Sequence, residues 1–389
     1  MKSRIIRLCM LAIFLFHAAL LEGQKPKSLQ TGADQIPTVL AKLSGKRVAM
    51  MVNQTSVVGK VHLIDSLKSH KVNLQKIFAV EHGFRGNADA GEAVKDGVDA
   101  QSGVAIVSLY GKDHKPTAKQ MEDVDVVVFD IQDVGVRFFT YISSLHYLME
   151  ACAENGKKLI VLDCPNPNGS FVDGPILNKE LKSFVGMHPI PIAHGMTIGE
   201  YATMVNGEGW LGGGKKCELE IVQLKNWKHS DLYSISIKPS PNLTTDQGIA
   251  LYPSSCLFEG TVLSIGRGTQ NPFELVGHPD LKGKYAFQFT PVSIEGMAKE
   301  PVLKNQVCYG LDLRKVAPKN QIDLTYLMEL YQAYPNKEKF FNNYFDKLAG
   351  TTELKSQIIK GLTEAQIRAT WKPGLDAFKV VRKKYLIYR

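Results

Sequence analysis

The chain has 389 residues, a net charge of +9 and six cysteines. Its length allows two domains with sizeable cores. The cysteines are widely spaced and form no C-x-x-C pair, which excludes a disulfide framework and a structural zinc site and leaves them as small buried residues.

At the amino terminus, Lys2, Arg4 and Arg7 precede the apolar run from Leu8 to Leu21, and Glu22, Gly23 and Gln24 follow it. This is the pattern of a cleaved secretory signal over residues 1–23, since the run is too short to span a bilayer comfortably. Cys9 lies at the start of the run rather than at a lipoprotein cleavage position. A soluble exported protein, periplasmic or secreted, is therefore expected. Removing the signal takes away three cations and one anion and leaves +7. The lysines are scattered without a nucleic-acid motif, so the basic balance fits an ordinary solvated surface or an anionic cell-envelope substrate. No later segment approaches the roughly 20 apolar residues of a transmembrane helix.

Strand-like segments then recur, each running into a polar cluster. Arg47 to Asn53 leads into Gln54, Thr55 and Ser56; Leu74 to Val80 leads into Glu81, His82, Gly83, Phe84, Arg85 and Gly86. Val104 to Tyr110 leads into Gly111 through His114. Val126 to Phe129 reads as a strand buried on both faces and ends in Asp130, Gln132, Asp133, Arg137 and Tyr141. Lys158 to Asp163 leads into Pro165, Asn166, Pro167 and Asn168. Helix-like stretches, Val61 to Ser69 and Ile142 to Glu154 among them, lie between these segments. The alternation predicts an α/β fold with a Rossmann-like, mainly parallel sheet over residues 24–245. In such sheets ligands bind beyond the carboxyl ends of the strands, which makes the polar clusters candidate contacts. After the first strand, NQTSVVGK lacks both the spaced glycines of a dinucleotide turn and a Walker lysine, so no nucleotide cofactor is expected.

Gly207 to Gly214 is glycine-rich, Cys217 to Leu224 is another strand candidate, and Pro239, Pro241 and Asn242 break the chain. A boundary near 245 opens a smaller α+β domain over residues 246–389. There, strand-like Tyr285 to Thr290 and Gln306 to Leu313 are followed by aromatic amphipathic helices from Asp323 to about Gly361. The tail from Glu364 reads as one more helix and an extended end.

Several strings taken together resemble the NamZ family, formerly a domain of unknown function, whose characterised members are exo-β-N-acetylmuramidases. They are EHGFRG from Glu81, FDIQDVGVRFFTYISS from Phe129, LDCPNPNG from Leu162, VDGPIL from Val172, HGMTIGE from His194, PSPNL from Pro239 and FEGTVLSIGRGTQNPFE from Phe258. The tail IRATWKPGLDAFKVVRKKYLIY resembles the family's carboxyl-terminal end, so the resemblance covers essentially the whole chain beyond the signal. Cys164, Thr244 and Ile265 stand where relatives often carry arginine, proline and an acidic residue. The resemblance implies a Rossmann-like domain, a smaller carboxyl-terminal domain and an active site in the cleft between them. It also implies release of terminal β-1,4-linked N-acetylmuramic acid from the non-reducing ends of peptidoglycan fragments.

Glycoside hydrolysis usually needs one carboxyl group to protonate the leaving oxygen and a second, ionised one. Glu81, directly after a buried strand, is the leading candidate; Glu259, Asp130 and Asp133 compete for the second role. The lactyl carboxylate of the sugar favours a guanidinium fork, for which Arg85, Arg137 and Arg267 are candidates. His82 could orient Glu81, while Tyr141, Asn166 and His194 could contact hydroxyls or the N-acetyl group. Phe138 and Phe139 are core or a sugar platform. The partners implied are peptidoglycan-derived saccharides, with no nucleic acid and no cofactor. Two rival readings remain: a metal-dependent phosphoesterase using Asp130, Asp133, His82 and His194, and a non-catalytic cell-wall binding protein. The first lacks any H-x-H, H-E-x-x-H or D-x-D pattern with a companion set.

Overall fold

The computed structural model describes residues 28–81, 83–85, 96–111 and 113–388. The signal-like segment and His82 lie outside the described residues. Six parallel strands form the main sheet: β1 (Arg47–Val52), β2 (Asn73–Ala79), β3 (Ala105–Ser108), β4 (Val126–Asp130), β5 (Lys158–Leu162) and β6 (Glu218–Val222). Their order is β3-β2-β1-β4-β5-β6, with Gly97–Val98 pairing antiparallel outside β3. The chain builds outward from β1 to β3, then returns to the other side of β1 to lay down β4. The sheet therefore reverses between β1 and β4, where Val48 pairs with Val126 and Val52 with Asp130.

Alternation along these strands serves two cores. Met50, Val52, Val126, Val128 and Ile160 face one apolar layer, closed by α1 (Ile36–Leu43) and α2 (Leu63–Ser69). Ala49, Met51, Val127, Phe129 and Val161 face the other, covered by α4 (Tyr141–Glu154) and α5 (Ile198–Gly207), with the single-turn α3 (Ala118–Met121) between β3 and β4. Burial on both faces is why the strands read as continuous apolar runs. The helix expected from Val61 begins instead at Leu63, because Val61–His62 pairs with Val57–Val58 and His62 caps the helix.

The carboxyl-terminal part begins at α6 (Asp246–Ser255), capped by Thr245, whose hydroxyl accepts from Gly248 N. It carries a small antiparallel sheet of β7 (Leu275–His278), β9 (Cys308–Asp312) and β8 (Phe287–Phe289) in that order. Four helices follow: α7 (Thr325–Ala333), α8 (Phe345–Ala349), α9 (Glu353–Ile359) and α10 (Glu364–Lys383). The apolar layer under α4 continues without a break into Phe258, Phe340, Phe345 and Leu348, so the two lobes share one core. Residues 387–388 return to the first lobe. There the Tyr388 hydroxyl donates to Asp163 (2.6 Å) and accepts from Leu224 N (2.9 Å), and Ile387 N donates to Glu200 (2.7 Å).

Candidate active site

Glu81 follows β2 by two residues and sits at the amino terminus of α4. Its carboxylate accepts from the Tyr110 hydroxyl at 2.8 Å and from Thr140, the residue that begins α4, at 3.1 Å. Both hydroxyls can also accept a hydrogen bond, so one pair of neighbours serves the carboxylate and the carboxylic acid alike. The positive end of the 14-residue helix faces the same group.

Across from it, Glu259 comes from the turn after α6 and is paired with Arg267 Nε at 2.6 Å. The turn holding Arg267 needs its two flanking glycines: Gly266 and Gly268 have φ +77° and +79°, and a Cβ on either would collide with backbone. The Arg267 guanidinium lies over the Phe273 ring. Burial opposes its charge, but Glu259 outweighs burial and holds its pKa above the ordinary value. Its terminal Nη groups have no acceptor among the described residues and remain able to engage a ligand.

Glu81 and Glu259 line one cavity of about 150 Å³. Thr140, Tyr141 and Ser240 contribute from the first lobe, and Tyr252, Arg267 and Tyr344 from the second. Phe138 and Phe139 form its wall while packing edge-to-face on Tyr252, so they act as core and lining together. Burial pushes the Tyr344 hydroxyl pKa up, and Cys256, Glu259 and Glu81 reinforce the shift, which places both carboxylates in its field. Tyr141 is buried beside the Asn53 side chain, and its hydroxyl makes no close hydrogen bond among the described residues.

Of the described residues singled out from sequence, the structure brings Glu81, Glu259, Arg267, Tyr141, Phe138 and Phe139 together and places Arg85, Asp130, Asp133, Arg137, Asn166 and His194 elsewhere. The sequence makes Arg137 a candidate for the lactyl carboxylate. It is fully buried and donates instead to the carbonyls of Pro175, Ile190, Leu348 and Ala349 at 2.7–2.9 Å. Burial pushes its pKa down to about 9, still cationic at neutral pH. Arg85 is occupied by Asp99 (2.8 and 2.9 Å) and Asp65 (3.3 Å). Asn166 spends its amide on Met196 O and Asn168 N, packed against Gly135 at φ +77° where no Cβ would fit. His194 is fully buried 3.7 Å from Asp133, with burial pushing its pKa down to about 3 and that of Asp133 up to about 7. Asp130 lines a separate crevice. Tyr110, Thr140 and Tyr344 belong to the site and were not singled out. Thr140 lay inside a quoted string and Tyr110 closed a predicted strand, whereas Tyr344 carried no sequence signal.

Two carboxylates from separate lobes lining one cavity, beside a guanidinium and a set of hydroxyls, are the group types that glycoside hydrolysis uses. Family models described as the N-terminal and C-terminal domains of exo-beta-N-acetylmuramidase NamZ match residues 48–247 and 250–388, and the chain belongs to this family. It is 38% identical to peptidoglycan beta-N-acetylmuramidase NamZ of Bacillus subtilis (strain 168), over 94% of this chain and 92% of that protein. Crystal structures of two DUF1343 family proteins from Bacteroides fragilis NCTC 9343 superimpose with TM-scores of 0.87 and 0.79. They are 44% and 30% identical, and each match covers 93% of this chain and 99% of the other.

Proposed function

We propose that the protein releases terminal N-acetylmuramic acid from the non-reducing ends of peptidoglycan fragments, with Glu81 donating the proton that the leaving oxygen takes up as the glycosidic bond breaks. Glu259 serves as the ionised partner, held by Arg267. The observation that carries this reading is the shared cavity of Glu81 and Glu259, one from each lobe. The Nη groups of Arg267 are the donors for the lactyl carboxylate, and Tyr141 is a donor for a hydroxyl or the N-acetyl oxygen. We further propose that the chain is exported, from the signal-like residues 1–23. Among the described residues, no helix is long and apolar enough to cross a membrane.

The test compares two β-N-acetylmuraminides, one with a sugar leaving group and one with a nitrophenyl group, in the enzyme and its Glu81→Gln variant. Loss of a general acid costs about 10²–10⁴-fold where the leaving group needs a proton. Nitrophenolate needs little protonation, so the loss there should be much smaller. Equal losses on both substrates would remove Glu81 from the acid role, and cleavage of the matching glucosaminide at equal rate would remove the lactyl group from recognition.

A further inference from the structure

The crevice where the sheet reverses is separate from the Glu81 cavity and is the larger, at about 230 Å³. Its polar lining comes from Thr31, Asp34, Thr55, Asp130, Gln132, Tyr233 and Ser236, with no lysine or arginine among the described residues that line it. Asp130 is 7% exposed, and its Oδ2 has no hydrogen-bond partner among the described residues. The Ser56 hydroxyl bonds to the backbone carbonyl of Asp130. Among the described residues, Asp34 accepts only from Thr31, through N at 2.8 Å and Oγ1 at 2.9 Å. Gln132 commits its amide nitrogen to Asp133 O and Pro165 O, which leaves Oε1 as a further acceptor. The crevice thus presents acceptors and two carboxylates with no cation among the described residues to answer them. Burial pushes the Asp130 pKa up to about 7; Ser56 opposes the shift and Asp34 adds to it.

We propose that this crevice is a second binding site, which takes a primary alkylammonium group with its head between Asp130 and Asp34 and its carbon chain along Tyr233 and Ile235. An ammonium supplies three donors and one positive charge, matching the acceptors present. The apolar remainder of the lining, including Leu29, Val57 and Ile237, suits an alkyl stem. Among the described residues, no group of three or more His, Cys, Asp or Glu is placed to hold a metal ion, which favours an organic cation.

The ammonium has two possible sources: a free amine, or an amine-bearing peptide on the saccharide cleaved at Glu81. The second source rests on the proposed function, and one segment connects the two sites. Tyr233, Ile235, Ser236 and Ile237 line the crevice, Ser240 lines the Glu81 cavity, and Gln54 fastens the stretch between by bonding to the carbonyls of Lys238 and Pro239. Four residues of extended chain span at most about 14 Å, within reach of a short peptide.

The test is calorimetric titration of the full enzyme with 1,5-diaminopentane, with 1-pentanol as the uncharged control. Saturable binding by the diamine alone, weakened roughly tenfold or more by Asp34→Asn and by Asp130→Asn, is the expected result. Kinetics then separate the sources, using muraminides that carry a lysine peptide with its side-chain amine free or acetylated. A lower KM for the free amine in the wild type, levelled in Asp34→Asn, assigns the crevice to the substrate's own arm. Diamine binding without that difference assigns it to a free amine. If Asp34→Asn cleaves the peptide-free muraminide as the wild type does, yet neither diamine binding nor an amine-dependent KM is found in the wild type, the proposal is overturned while the hydrolase reading stands. If no muraminide is cleaved, the hydrolase reading fails and the calorimetry alone decides the proposal.

Discussion

Replacing Arg137 with methionine keeps much of the buried volume and removes the guanidinium. Four carbonyls then lose their donor: Pro175 and Ile190 in the first lobe, Leu348 and Ala349 at the end of α8. At about 1–3 kcal/mol for each stranded acceptor the gross loss would be large. Part is returned, because the variant no longer buries a cation whose desolvation costs several kcal/mol. The net expectation is a loss of about 3–5 kcal/mol, the range seen when one partner of a buried charged contact is removed. That corresponds to a fall in melting temperature of roughly 4–7 °C for a protein of this size. Thermal unfolding followed by circular dichroism measures it, and muraminide kinetics well below the transition complete the comparison. Arg267→Met should behave in the opposite way, with muraminide cleavage strongly impaired and the melting temperature nearly kept. Unchanged stability in Arg137→Met together with lost cleavage would refute the structural role and return Arg137 to the ligand.

Tyr110→Phe and Thr140→Val each remove one donor from Glu81, and a hydrogen bond to a charged group is worth about 1.5–3 kcal/mol. Each should lower kcat/KM on the disaccharide by roughly ten- to a hundredfold, with KM little changed in steady-state assays. Tyr388→Phe strips Asp163 of its 2.6 Å donor and leaves Leu224 N without its acceptor. A fall of about 2–3 kcal/mol in urea unfolding is expected without loss of specific activity at low temperature. Acid sensitivity should follow the buried histidines. Burial pushes the His146 pKa down to about 4, against about 6.5 in the unfolded chain. The unfolded state therefore binds its proton first as pH falls, so the stability contributed by His146 is full above about 6.5 and drains away toward 4. Subtracting the urea midpoints of His146→Gln from those of the wild type between pH 7 and 4 isolates this term from the buried aspartates, whose raised pKa values act in the opposite direction. A flat difference would refute the assignment.

The sheet was legible because strands buried on both faces must be apolar throughout, and β1, β4 and β5 leave that mark plainly, as does the second half of β2. Glu81 was legible for the same reason, standing just past the last buried residue of its strand. The same reasoning misled at Asp133, Arg137, Asn166 and His194. Polar residues beyond a parallel strand face solvent only if nothing covers them: here α8 covers Arg137, while later segments of the first lobe engage Asn166 through Met196 and Asp133 through His194. Arg137 is consumed by carbonyls of α8 more than 200 positions away, a partnership no local pattern encodes. Tyr344 enters the cavity from a short turn ahead of α8 and has no periodicity to mark it. Asp130, like Glu81, stands at a strand tip, yet it lines a different cavity, bordered by Tyr233 and Ile235. Side-chain direction at a strand tip depends on the turn that follows, which composition does not reveal.

Residues 387–388 fasten onto Asp163 and Glu200, and the Tyr388 contact with Leu224 spans 164 positions. This makes the completion of the first lobe a late event. All six strands of its sheet can be synthesised while two interior carboxylates still wait for donors that have not yet been made. Such long-range closure slows folding, so the first lobe on its own should remain loosely ordered around β5 and α5 until the second has been produced. A fragment ending near residue 247 would carry Glu81 and the whole parallel sheet, yet lack the hydrogen bonds that quiet its own interior.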